Sequence, residues 1–301
     1  MRHLITAICL TAMLISTSTL FAQAKKKQAQ PPKPEPTRTE VYKTIGDVEL
    51  RMHIFEPAGH KPSDNRPAIV FFFGGGWKGG TPNQFYTHCK HLADKGMLAM
   101  SAEYRVSSRH NTTADKCVAD AKSSMRWIRN NAVKLGVNPD MVAAGGGSAG
   151  GHLAACLGTI EGFNESGEST ATSSVPQALL LFNPACVLDM VDGETPIDKE
   201  KYAGLEARMG TKPVNLSPYH HVKKDAPPTI IFHGIADTTV PYRTAELFTN
   251  AMKEHGNRCE LKGYPGQGHG FFNYGRDKNK AYDKIEKQVD AFLVSLGFLE
   301  G

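Results

Sequence analysis

The sequence predicts an α/β fold, a mostly parallel central sheet with helices on both faces. Three observations predict it. Apolar runs, complete at residues 68–73 and 178–182 and centred on Ile230-Ile231-Phe232 within 229–233, suit strands buried on both faces. Between such runs lie segments of helical period. From 113 to 135 the apolar positions Val118, Ala121, Met125, Ile128, Ala132 and Leu135 step by three and four, and Gly136 ends the series. Strands and helices therefore alternate along the chain, the order that parallel crossover connections require.

At 301 residues and 40% hydrophobic, the chain can bury one large core. Its first residues stand apart. Arg2 and His3 precede an apolar run at 4–20, closed by Phe21-Ala22-Gln23-Ala24, which reads as a secretory signal peptide (1–24) cleaved after Ala24. Ser16 to Thr19 interrupt the run and weaken it as a membrane anchor, so no stable membrane insertion is expected after cleavage. Residues 25–40, Pro-rich and charged, form an extended or disordered leader. The domain proper spans 41–301.

Within it, residues 41–45 and 48–55 read as strands paired around the Gly46-Asp47 turn. Next come a strand at 68–73, a helix at 83–95, a strand at 97–104 and the long helix at 113–135. A strand at 141–147 is followed by a helix from Ala149 to Leu157. Strands at 178–182, 229–233 and 259–264 and helices at 242–255 and 280–296 complete the pattern. Residues 183–228 are long and irregular enough to form a lid or a substrate wall.

Composition narrows the function. A net charge of +5 is too mild and scattered for a nucleic-acid surface. Cleavage would leave Cys89, Cys117, Cys156, Cys186 and Cys259, so at least one thiol has no partner within a monomer, and no pairing is singled out. His88-Cys89-Lys90-His91 lacks a second ligand pair, so no metal is expected there.

The chemistry lies at strand ends, where active groups gather in such sheets. Gly146-Gly147-Ser148-Ala149-Gly150 is a G-x-S-x-G turn between a strand and a helix. A serine on so sharp a turn needs small neighbours, and the new helix points free N–H groups toward it. Gly74-Gly75-Gly76-Trp77 follows the strand at 68–73, where bare backbone amides can approach an oxyanion. Asp237 follows the strand at 229–233, as an imidazole's carboxylate partner or, alternatively, a helix cap shared with Thr239. His269 lies between two glycines beyond the strand at 259–264, able to reach the serine as general base. The chain order Ser148, Asp237, His269 is the one this turn carries.

On these residues, with Phe72-Phe73, Gly151-His152-Leu153-Ala154, His233-Gly234-Ile235-Ala236-Asp237 and Gly268-His269-Gly270, the chain resembles the α/β-hydrolase superfamily from about Val41 to its C-terminus. It is most similar to the acetyl esterase/lipase-like and feruloyl/acetyl-xylan esterase-like branch. The resemblance implies a serine carboxylic-ester hydrolase with Ser148 as nucleophile, His269 as base, Asp237 as its orienter, and the amides of Gly75, Gly76 and Ala149 as oxyanion hole. It implies no cofactor, and an ester substrate such as acetyl or hydroxycinnamoyl groups on plant polysaccharide. Two other readings stay open: a peptidase resembling the prolyl oligopeptidase catalytic domain, and a non-catalytic binding protein of the same fold. Many relatives begin the Gly triplet with histidine where this chain has Phe73, so packing is expected to hold that loop. His152 and His233 are read as structural, while Trp77, Tyr104, Phe271 and Phe272 can serve as pocket wall or core.

Overall fold

The computed structural model describes residues 34–193, 196–197, 200 and 204–301. The expected signal peptide (1–24) and most of the expected leader lie outside the described residues. The strands are β1 (Arg38–Ile45), β2 (Val48–Phe55), β3 (Arg66–Phe72), β4 (Leu98–Ala102), β5 (Val137–Gly147), β6 (Leu179–Phe182), β7 (Thr229–Gly234) and β8 (Cys259–Tyr264). They form one sheet in the order β1-β2-β4-β3-β5-β6-β7-β8. β1 pairs with β2, and β2 with β4, antiparallel; every pairing from β4 to β8 is parallel.

The principal helices are α1 (Tyr86–Asp94), α2 (Ala114–Asn130), α3 (Ala149–Thr159), α4 (Tyr242–Glu254) and α5 (Lys280–Val294). Strand side chains alternate between two cores because successive residues of a strand point to opposite faces. On β3, Ala68, Val70 and Phe72 enter the core shared with α2, α3 and α4. Ile69 and Phe71 enter the other, shared with α1 and α5. β6 divides likewise, Leu179 and Leu181 from Leu180 and Phe182. Each large side chain so buried contributes about 1.5–3 kcal/mol relative to exposure. This two-faced burial is the α/β architecture that the apolar runs predict.

Several boundaries differ from the sequence reading. β1 begins at Arg38, so the last residues of the expected leader (25–40) belong to the sheet. There Thr37 N–H donates to Ile54 C=O, and Arg38 pairs with Glu56 at 2.7 Å. The helix expected at 113–135 is two: α2 ends at Asn130, and a separate turn occupies Ala132–Leu135. Asn131 marks the break, its side-chain amide donating to Trp127 C=O at 2.8 Å. Such a side chain offers the backbone a competing partner, invisible to hydrophobic period. Pro82–Gln84 forms a 3₁₀ turn, delaying α1 to Tyr86. The five cysteines from Cys89 to Cys259 are all free and buried. His88 and His91 both face carboxylates of α5: His88 pairs with Glu286, and His91 with Asp290 at 2.8 Å.

One position in this scaffold tolerates no side chain. A Cβ on Gly150, in the first turn of α3, would lie 2.0 Å from Phe72 O and 2.5 Å from Phe73 O. Both obstacles are backbone at the end of a buried central strand, so neither can swing aside. Gly150→Ala is expected to destabilise the protein by about 3 kcal/mol, a Tm drop of roughly 6–12 °C by calorimetry, whereas a drop under about 2 °C would mean the helix shifts freely.

Candidate active site

The carboxyl ends of β3, β5, β7 and β8 converge. β5 delivers Ser148 at φ +54°, ψ −117°, between the sheet and α3. A non-glycine residue holds such angles only where its surroundings enforce them. Here Ser148 N–H donates to Phe182 C=O at 2.9 Å, and Ser148 C=O accepts from His152 N–H at 2.9 Å. The turn closes so tightly that a Cβ on Gly146 would stand 2.4 Å from Gly150 O. The glycine pattern that marks this turn in sequence is thus a packing requirement.

β8 delivers His269, whose Nε2 lies 3.0 Å from Ser148 Oγ. Its Nδ1 lies 2.7 Å from Asp237 Oδ2, beyond the end of β7. A carboxylate accepts only, so Nδ1 carries the proton and Nε2 accepts from the serine hydroxyl. The other oxygen of Asp237, Oδ1, accepts from the N–H groups of Thr239 at 2.8 Å and Val240 at 3.0 Å. Asp237 therefore organises its own loop and does not cap α4, whose N-cap position is Pro241. Burial of Asp237 alone would raise its pKa. Hydrogen bonds from His233, His269 and Val240 outweigh that, and the carboxyl is held well below the usual carboxylate range.

β3 runs into the loop of Gly74, Gly75 and Gly76. Gly75 has φ +132°, and a Cβ there would lie 2.3 Å from Gly79 O. Gly76 and Ala149 line the same cavity as Ser148. The backbone N–H groups of Gly75, Gly76 and Ala149 donate to no acceptor among the described residues.

The model of the BD-FAE family matches residues 52–252, a stretch that contains Ser148, Asp237 and the glycine loop. The chain belongs to the BD-FAE family. Its fold is that of the α/β-hydrolase superfamily. This BD-FAE member superimposes on esterase 2 of Thermogutta terrifontis, phosphonylated by sarin, with TM-score 0.86 and 48% identity over 90% of this chain and 98% of that one. The butyrate-bound form of the same esterase matches at TM-score 0.84 and 48% identity, over 90% and 97% of the two chains. Among curated proteins, esterase LipC of Mycobacterium tuberculosis is 28% identical over 70% of this chain and 54% of its own length. A probable isoprenylcysteine alpha-carbonyl methylesterase of Oryza sativa is 28% identical over 68% and 51%. The chain spans about half the length of these curated relatives.

In this BD-FAE member the glycine loop that follows Phe73 is braced by packing with hydrogen bonds. Phe73 stacks on Tyr104 with ring centroids 4.1 Å apart, and Tyr104 O–H donates to Phe73 C=O at 2.7 Å. Gln84 Oε1 accepts from Gly74 N–H at 2.6 Å. Trp77, at φ +59°, donates its indole N–H to His152 Nδ1 at 3.2 Å. His152 in turn donates from Nε2 to Leu216 C=O at 2.7 Å. Burial pushes the His152 pKa down to about 4, so it stays neutral and supplies both bonds. His233 donates to Val240 C=O at 2.9 Å and secures the Asp237 loop. Both histidines are structural, as read.

Beside Ser148 opens a cavity of about 290 Å³, with Val187, Leu188, Ile197, Leu205, Val240 and Pro241 supplying apolar wall. Described residues of 183–228 therefore supply part of the wall of this cavity. Of the four aromatics singled out, Trp77 lines the cavity, while Tyr104, Phe271 and Phe272 lie in the core. Asn183, just past β6, escaped the sequence reading: its Oδ1 accepts Gly270 N–H at 2.9 Å and ties the His269 loop to the sheet. Its one legible signal is its place at another strand end.

Proposed function

We propose that the protein is a serine carboxylic-ester hydrolase in which Ser148 is the nucleophile, His269 the general base and Asp237 its orienting partner. One observation carries this: the unbroken line of hydrogen bonds from Asp237 through His269 to Ser148, at 2.7 and 3.0 Å. As Oγ attacks the ester carbonyl, its proton passes to His269 Nε2, and the amides of Gly76 and Ala149, with that of Gly75, receive the oxyanion. Such preorganised donors contribute about 3–4 kcal/mol each to acyl transfer. The alcohol departs with the proton from His269, and water entering by the reverse path frees the acid. The resemblance to named esterases over nearly the whole length of the Thermogutta terrifontis chain supports the same chemistry.

The substrate is read as an acyl ester, with acetyl or hydroxycinnamoyl groups on polysaccharide as the class suggested by the resemblance. A cavity of about 290 Å³ with apolar walls suits a small acyl group. The similar esterase has been solved with propionate and with butyrate bound. Purified protein is expected to cleave p-nitrophenyl acetate and butyrate faster than aminoacyl anilides, and to release acid from acetylated xylan or feruloylated oligosaccharide. Anilide cleavage outrunning ester cleavage would turn the assignment to a peptidase, and cleavage of neither would leave a binding protein. The chain is read as exported on the signal peptide at 1–24; a secreted form whose N-terminus is not Lys25 would count against cleavage after Ala24.

A further inference from the structure

Among the described residues lining the cavity beside Ser148, Arg208 alone carries a formal charge. A guanidinium stays protonated at any working pH and offers five N–H donors in a rigid fork. Most such groups near an enzyme surface meet a carboxylate of the same chain. This one does not. It sits on the short helix Glu206–Met209, partly buried, and its Nε–H donates to Gly204 C=O at 3.1 Å. Among the described residues, neither terminal nitrogen has an acceptor, and Arg208 makes no ion pair.

Its direction is informative. Nη1 lies 4.0 Å from where a Cβ on Gly76 would be, so the fork reaches over the glycine loop proposed to hold the oxyanion. Arg208 also lines a second cleft bordering that loop, of about 230 Å³, with Lys78, Ser107, Asn111, Thr112 and Thr113. This second space has Lys78 in its lining and no carboxylate among its described lining residues. Trp77 and Gly76 border both spaces. An apolar cavity at the nucleophile thus adjoins a cleft with Lys78 in its lining, and Arg208 borders both.

We propose that Arg208 is a specificity-determining residue that binds a carboxylate carried by the substrate, so that the preferred esters are anionic. This rests on the ester-hydrolase reading above and adds the charge of the substrate to it. Guanidinium and carboxylate match in plane and spacing, and pairing supplies the acceptors that the fork lacks among the described residues. The carboxylate can sit on the acyl arm or on the alcohol arm, and the two require different substrates to tell apart.

The test compares two pairs of esters matched in shape. For the acyl arm these are mono-p-nitrophenyl succinate and p-nitrophenyl 4-methylpentanoate; for the alcohol arm, 4-carboxyphenyl acetate and 4-isopropylphenyl acetate. Each anionic-to-neutral ratio of kcat/KM is measured in the native enzyme, Arg208→Ala and Arg208→Lys. Intrinsic leaving-group differences cancel between enzymes. In one pair the ratio is expected to fall about tenfold or more in Arg208→Ala, mainly through KM, with partial recovery in Arg208→Lys. The native ratio should also fall as salt is raised, since the pair is partly exposed. A ratio equal in all three enzymes for both pairs, or insensitive to salt, overturns the proposal. If the native enzyme cleaves the neutral esters while the ratio ignores Arg208, the specificity inference alone has failed. If it cleaves none of the four, the ester-hydrolase reading fails with it.

Discussion

Ser148→Ala is expected to lower kcat on p-nitrophenyl acetate by on the order of 10⁴ or more, with the fold intact. The size follows from what the hydroxyl does and the backbone does not. Ser148 Oγ is the group 3.0 Å from His269 Nε2, whereas the turn is held by Ser148 N–H on Phe182 and by Ser148 C=O under His152. Alanine keeps both backbone bonds and removes the one atom able to form an acyl-enzyme. What activity survives would come from the cavity and the amide donors acting on water. Paraoxon should label the native protein at residue 148 and leave the variant unmodified. A loss of less than about tenfold would show that another group attacks the ester.

Asp237→Asn should cost on the order of 10³–10⁴ in kcat, for a reason specific to this loop. Asp237 Oδ1 is pinned by two donors, the N–H groups of Thr239 and Val240 at 2.8 and 3.0 Å. In asparagine the carbonyl oxygen must take that place, turning the NH₂ group toward His269 Nδ1. The imidazole then accepts at Nδ1 and carries its proton on Nε2, facing Ser148 with a donor where an acceptor is needed. His233 Nε2, 3.5 Å from Asp237 Oδ2, adds a second donor against the new amide. Steady-state kinetics with circular dichroism to confirm folding would check this, and a near-native kcat would break the proposed chain of roles.

The same carboxylate has a stability signature. Folding holds Asp237 well below the usual carboxylate range, so folding favours its ionised form. That contribution is present above the ordinary carboxylate pKa of the unfolded chain and is lost as the pH falls through the lower folded value. Urea melts should therefore show the native protein's advantage over Asp237→Asn shrinking on acidification.

Legibility in the sequence followed the kind of constraint. The two-faced strands could be read because a strand inside a parallel sheet buries both faces, and residues 68–73 and 178–182 are apolar at every position while 229–233 is at its centre, Ile230 to Phe232. The serine turn could be read because its geometry admits only small neighbours: Gly146 and Gly150 stand where any Cβ would strike backbone. Asp237 and His269 could be read because each follows a strand, in the order this turn carries. Asn131 could not, since a helix broken by a side-chain hydrogen bond leaves the hydrophobic period unchanged. Nor could the roles of Gln84, Tyr104 and Trp77 in bracing the glycine loop. Each is an ordinary polar or aromatic residue whose partner is chosen by packing.

What the sequence determined by itself, then, is the architecture and the three residues of the proposed relay, because local sterics and burial periodicity impose their signature on neighbouring positions. The tertiary structure alone decided the shape and charge of the space around them. The cavity is assembled from Gly76, Val187, Arg208 and Val240, contributed by separate loops, and no spacing rule connects them. Their meeting depends on where each loop leaves the sheet and which surfaces it then covers, a property of the whole packed chain and of no single stretch.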